Sequence, residues 1–339
     1  MKNKPIIVVA GEPYSIFFEI FFKSLKKKSI KNINNPIILV ASKNLLIKQM
    51  KALKYKFDVK ELSFKNLNLT KINNKKINIF NVNFNHNKTY DKITSKSSNY
   101  IKECCTVAVK LLNKTSSKVL INGPVSKKHF LNKNFPGMTE YFASLVGGRN
   151  KEVMLIYNQA NSVSPVTTHF PLKKIFTRIT TKKIIENVKT INFFYKKYLN
   201  KSPKFAITGL NPHCESLDKI SEEEKIIIPA IKKLKKSKIK VYGPFPADTI
   251  FLKEKLKQYD IVVGMYHDQV LTPIKTIHGF DAINITLGLP FFRLTPDHGP
   301  NLSMLGKNVS NPKSLIKTFE FAKKLKWTLN QKKNLVKIF

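Results

Sequence analysis

Three histidines each follow a short apolar run: His169 in "VTTHFP", His213 in "GLNPHCES" and His267 in "DIVVGMYHDQV". Three neutral imidazoles presented by separate strand ends can converge on one cation. Three nitrogen ligands suit a Zn²⁺-type ion that keeps positions open for substrate. No compact motif such as His-Glu-x-x-His ties the three together, so each alone also reads as a hydrogen-bonding residue of a loop.

Anion chemistry is the second theme. Only Arg149, Arg178 and Arg293 are arginines among 61 basic residues. A bidentate grip on carboxylate or phosphate does not accept Lys as an equal, which singles out Arg293 in "LPFFRLTPDHG". Lys275 in "TPIK" follows His267 by eight residues and is placed to complete an anion pocket. "FPGMTEYFA" offers Thr139 at a helix start, read either as a phosphate contact or as an ordinary N-cap. The acidic candidates are Asp248, Asp268 beside His267, and Asp297 beside His298. Asp248 is equally a helix cap and an active-site group. Neither a G-x-G-x-x-G nor a G-x-x-x-x-G-K-[ST] sequence occurs.

The elements that must hold these residues alternate. Apolar runs at 5–10, 36–41, 77–82, 118–124, 152–157, 204–210, 260–266 and 282–288 read as strands. Stretches 42–55, 180–199, 222–238, 248–258 and 311–329 repeat apolar residues at helical spacing. Continuous apolar strands between helices imply an α/β fold with mainly parallel sheets. The chain has only 12 glycines, and most fall at or just past strand ends, where ligands bind in open α/β sheets.

Bulk properties narrow the class. The net charge of +40 is carried almost wholly by lysine spread along helical patterns. That reads as solvated faces rather than as a nucleic-acid footprint, which uses arginine as well. Three cysteines, Cys104, Cys105 and Cys214, make no disulfide framework. The first apolar run is too short for a signal segment, and nothing later is long enough to span a bilayer. A soluble cytoplasmic protein without membrane or specific nucleic-acid partners is expected.

In chain order, "GEPYSIFFEI", "NGPVSK", "PGMTEYFA", "TTHFPL", "GLNPH", "GPFPADTIF", "YDIVVGMYHDQVLTPIK" and "NITLGLPFFRLTPDHG" resemble the motif series of the 4-hydroxythreonine-4-phosphate dehydrogenases, enzymes of pyridoxal phosphate biosynthesis. The resemblance runs from Gly11 to about Pro312 and is most specific in the last third. It implies two α/β/α domains flanking a deep cleft, as in the isocitrate and isopropylmalate dehydrogenases. The expected division is residues 1–125 plus 285–339 against 126–284. It also implies a homodimer with a shared active site and NAD or NADP as cofactor. A divalent metal is implied as well, Zn first, with Mg, Co or Mn as options. By motif position His169 and His213 of one subunit and His267 of the other hold the metal. Thr139, Lys275, Asn284 and Arg293 contact substrate. The resemblance does not name the general base, for which Asp248 is the first candidate and Asp268 the second. Cofactor contacts fall on Gly11, Glu12, Asp297, His298, Gly299 and Ser303.

The sequence departs from that pattern at several points. Met138 stands where the family has a substrate-contacting histidine. Ser15 and Phe17 stand where glycines are usual, and Ser303 replaces an aspartate suited to a ribose hydroxyl. Met138 leaves a related four-carbon phosphorylated hydroxy acid open as substrate. A three-histidine metallohydrolase on the same scaffold is the competing reading.

Overall fold

A computed structural model describes residues 4–131, 134–148, 151–215, 221–279 and 281–325. The chain divides into two units, residues 1–151 with 289–324, and residues 152–288. The first crossing therefore comes after Lys151 rather than after residue 125. The reason is packing: the helix Met138–Leu145 sends Tyr141, Phe142 and Ala143 into the first unit's core. The expected C-terminal helix spans Lys313–Lys324; its continuation past residue 325 lies outside the described residues.

Strands β1 (Ile6–Val9), β2 (Ile37–Ala41), β3 (Val59–Leu62), β4 (Ile77–Asn81) and β5 (Val119–Asn122) belong to the first unit. Strands β6 (Val153–Tyr157), β7 (Ser162–Pro165), β8 (Phe205–Thr208), β9 (Val241–Phe245), β10 (Ile261–Gly264) and β11 (Ile283–Leu287) belong to the second, and β12 (Phe292–Pro296) returns to the first.

In the first unit the strand order is β3-β4-β2-β1-β5-β12, and every pairing is parallel. Ile7 and Val9 alternate with Ile6 and Val8, yet all four are buried. A parallel strand reads as one continuous apolar run when both faces are covered. One face packs on the helix Ser98–Thr115 through Ile101, Cys104, Cys105, Ala108, Leu111 and Leu112, at the three- and four-residue spacing of a helix stripe.

In the second unit the order is β11-β6-β7-β10-β8-β9. Strand β6 runs antiparallel to β11 and β7, and β7, β10, β8 and β9 run parallel. Its core gathers Met154, Ile156, Val163, Ala206 and Val262 with Val270, Leu271 and Ile274 of the helix His267–His278.

The eight apolar runs all form strands. The run 248–258, expected as one helix, is two short helical segments, Ala247–Ile250 and Lys253–Leu256, broken where Leu252 turns extended. The helix His267–His278 carries Pro273 inside it, which hides it from periodicity reasoning. Among the described residues no helix is long and apolar enough to cross a membrane.

Candidate active site

In the first unit, three loops leave adjacent parallel strands at one sheet edge. Gly11 and Glu12 follow β1, Gly123 and Pro124 follow β5, and Asp297 to Gly299 follow β12. Parallel strands point their carboxyl ends the same way, which is where open α/β sheets bind ligands. The loops are laced together. Gly123 N–H donates to Val9 O over 2.8 Å and Glu12 N–H to Pro124 O over 2.8 Å. Gly11 has φ +80°, and a Cβ there would lie 2.4 Å from Pro124 O, so glycine is required. Ser15 accepts from Phe17 N–H at 3.3 Å and donates to Glu12 O at 2.7 Å. Phe17 in turn fills the space where a Cβ at Gly123 would sit.

Glu12 is 1 % exposed, with both carboxyl oxygens sealed from solvent. Burial pushes its pKa up to about 7, against the opposing pull of the nearby Ser97 hydroxyl and Ser126 amide. His298 is half-buried and its Nε2 lacks a partner; burial lowers its pKa, while the Gly299 carbonyl and Asp297 act the other way. Orphaned interior polar atoms call for a partner such as water, ion or ligand. Asp297 N–H is anchored by Ser314 Oγ at 2.8 Å, and Ser303 is exposed on the turn Leu302–Met304.

Arg293 on β12 and Thr139 on the helix Met138–Leu145 meet. Arg293 Nη1 donates to Thr139 Oγ1 over 3.2 Å, and the guanidinium lies 5.6 Å from the centroid of the Phe142 ring. Both residues are buried, at 4 % and 5 % exposure. Burial lowers the arginine's pKa to about 10, which still leaves it charged at neutral pH; Cys105 and Glu140 oppose the fall. Thr139 is not the helix cap. Gly137 holds that position, and Thr139 sits inside the first turn, which leaves its hydroxyl for Arg293. Met138 is buried beside it.

In the second unit the three histidines follow β7, β8 and β10, whose order is β7-β10-β8, so all three leave one edge of three neighbouring parallel strands. The His169 and His267 rings are 5.7 Å apart, centroid to centroid. His213 is exposed in the short turn Pro212–Cys214, with φ +57° at His213 and φ +63° at Cys214. Consecutive left-handed non-glycine residues are costly and persist where surrounding structure holds them. Among the described residues, no group of three or more His, Cys, Asp and Glu side chains is gathered for a metal within the single chain.

The donor chemistry suits a cation nonetheless. His267 Nδ1 lies 2.7 Å from Asp268 Oδ1. A carboxylate on one ring nitrogen fixes the tautomer and leaves Nε2 with a lone pair for a metal. Asp268 and Lys275 are seven residues apart on the helix His267–His278, so about 20° separates them around its axis and they share an exposed face. Asn284, on β11 opposite Ile156, has an interior Oδ1 with no partner in the structure. Asp248 is exposed in the first turn of the helix Ala247–Ile250. The Cys214 thiol's pKa is raised, chiefly by burial and further by the Glu223, Asp248 and Glu215 carboxylates, against a backbone hydrogen bond at Gly209 that lowers it.

Sequence reading missed one residue here, Glu223. Gln269 bonds three backbone or side-chain groups around the β8 and β10 ends, and Glu223 holds the turn that carries His213. Glu223 did not stand out, because one Glu among polar residues gives no spacing signal.

Comparison with known proteins gives the family. The 4-hydroxythreonine-4-phosphate dehydrogenase of Sulfurihydrogenibium sp. is 35% identical over 325 residues, covering 95% of this chain and 98% of that protein. The enzyme of the same name from Bradyrhizobium diazoefficiens is 38% identical over 213 residues, 61% of this chain and 62% of its own. A crystal structure of 4-hydroxythreonine-4-phosphate dehydrogenase from Klebsiella pneumoniae superposes with a TM-score of 0.80 at 24% identity, over 95% of this chain and 98% of that one, a likeness of fold. The family model described as "Pyridoxal phosphate biosynthetic protein PdxA" matches residues 32–322, and the chain belongs to that family of oxidoreductases.

Proposed function

We propose that this chain oxidises 4-phosphohydroxy-L-threonine at its 3-hydroxyl with NAD or NADP, giving 2-amino-3-oxo-4-phosphooxybutanoate. That β-keto acid then loses CO₂ to give 3-amino-1-hydroxyacetone phosphate. The observation that carries the reading is the buried Arg293–Thr139 pair in a protein with three arginines among 61 basic residues. A buried guanidinium with a hydroxyl beside it is built to fix an anionic group, and fixing that group aims the reacting C–H.

His169, His213 and His267 would hold a divalent cation, and the Asp268 contact keeps the His267 lone pair available. When bound, the cation acidifies the substrate hydroxyl and stabilises negative charge on oxygen, while the nicotinamide accepts the hydride. Asn284 offers its unpartnered Oδ1 to a donor on the substrate, and Lys275 offers charge to an anionic group. Asp248 is the first candidate to take the hydroxyl proton, because Asp268 is already engaged with His267. The interior Glu12 carboxyl and the unpartnered His298 Nε2 stand at the edge proposed for the dinucleotide.

The active unit is proposed to be a homodimer with a shared site. Leu172 and Phe176, just after His169, are 67 % and 56 % exposed, an apolar surface that a second copy would cover. The test is direct. Purified, metal-loaded protein is mixed with 4-phosphohydroxy-L-threonine and either cofactor, and reduced nicotinamide is followed. Metal-dependent reduction is expected; a flat trace with both cofactors from folded, metal-loaded protein sinks the reading.

A further inference from the structure

Gln269 is 8 % exposed and sits at the third position of the helix that His267 begins. Its side chain turns back. Oε1 accepts from Met265 N–H at 2.7 Å and from Thr208 Oγ1 at 2.9 Å, and Nε2 donates to Gly209 O at 2.7 Å. The first contact resembles a capping box, in which a third-position Gln reaches back to a backbone N–H before the helix. The other two go elsewhere, to the end of β8. One amide therefore joins the chain entering the His267 helix to the chain entering the His213 turn.

The surroundings make this joint tight. A Cβ at Gly264 would lie 3.0 Å from Gln269 Oε1 and 2.4 Å from Val270 Cγ1. A Cβ at Gly209 would lie 2.7 Å from Cys214 Sγ and 3.0 Å from Glu223 Oε1. Glu223 holds the other side of the turn, accepting from Leu210 N–H at 2.7 Å and Asn211 N–H at 2.9 Å. The third strand end is tied to the same backbone, since Thr167 Oγ1 donates to Met265 O over 2.7 Å, two residues before His169. All three histidine-bearing ends thus meet at Met265, Gly209 and the Gln269 amide.

We infer that Gln269 is a positioning residue: it sets where His213 and His267 stand on their sheet edge, and so sets the affinity of the histidines for a divalent cation. The inference rests on the metal reading proposed above. It holds whether the imidazoles close on a cation within one chain or across two copies, because each histidine leaves the same joint. Only an amide fits. It must accept from two donors and donate to a carbonyl, and a carboxylate would place a second oxygen against Gly209 O.

The test uses the full-length protein, stripped of metal and titrated with Zn²⁺ against a chelating dye, and with Co²⁺ followed by its visible spectrum. Gln269→Glu keeps the shape and two of the three contacts. Thr208→Val removes one contact and leaves the amide, and stands in where Gln269→Glu does not fold. Melting temperature and circular dichroism report the fold. Outer-shell partners of metal ligands change affinity by roughly 10- to 100-fold, so Gln269→Glu is expected to weaken Zn²⁺ binding by that order and to alter the Co²⁺ spectrum. Thr208→Val is expected to do so to a smaller degree. Folded variants that bind both ions as the parent does, with or without a lower melting temperature, overturn the inference while leaving the metal reading intact. A parent protein that binds neither ion refutes the metal reading, and this inference with it.

Discussion

Arg293 and Thr139 are joined by a 3.2 Å hydrogen bond across 154 positions of sequence, and both are sealed from solvent. A β12 residue and a helix first turn are brought together to present a planar cation with a hydroxyl at its side. Arg293→Lys keeps the charge and loses the fork. A hydrogen bond to a charged group contributes about 1.5–3 kcal/mol, so kcat/KM is expected to fall roughly 10- to 150-fold. Steady-state kinetics with varied substrate check this, and Thr139→Val should show a smaller loss in the same direction.

Glu12 predicts a pH signature of folding. Its pKa of about 7 in the folded protein is raised from the ordinary 4.5 by burial. The contribution of the neutral form is therefore fully present below pH 4.5 and is lost as pH rises through 7. The span corresponds to about 3 kcal/mol at most. Glu12→Gln cannot ionise, so the decline in stability across this window is expected to flatten. Urea unfolding of both proteins at pH 5 and pH 8 measures it; parallel declines would show that Glu12 does not titrate there.

Metal removal gives a third outcome. Dialysis against a strong chelator is expected to abolish cofactor reduction, and added Zn²⁺, Co²⁺ or Mn²⁺ to restore it. His267→Ala should lower bound metal measured by elemental analysis. Asp268→Asn, which loses the carboxylate 2.7 Å from His267 Nδ1, should weaken metal affinity roughly tenfold. Activity that survives metal removal would count against the cation.

Leu172 and Phe176 predict an assembly. Placing Glu at both positions puts two charges on a surface expected to be covered, so the variant should sediment as a monomer and lose activity while keeping its circular dichroism. Sedimentation velocity at several concentrations decides it.

Ser303 bears on the cofactor. It is exposed on the turn Leu302–Met304 and offers no carboxylate to a ribose hydroxyl. Ser303→Asp adds a group that accepts from a 2′-hydroxyl and repels a 2′-phosphate, so preference for NAD⁺ over NADP⁺ should rise roughly tenfold. The ratio of kcat/KM values for the two cofactors is the measurement.

Much of the fold was legible because burial leaves a simple mark. Strands covered on both faces become unbroken apolar runs, as in "PIIVVA" and "DIVVGMY". Strands without that mark, such as β3 with its exposed Glu61 and β9 with Pro244 inside, gave no such signal. The helix His267–His278 was hidden by Pro273, and the first unit's boundary by the destination of Tyr141 and Phe142.

For the site, sequence alone determined the residue types: histidines just past strand ends, one arginine where lysine would not serve, and motifs in a recognisable order. Only the tertiary structure decided who meets whom. Arg293 finds Thr139, and Gln269 joins two strand ends, because strand order and side-chain direction are set by packing between segments far apart in the chain. Local periodicity records which face of a segment is buried, and contains no term for the partner it is buried against.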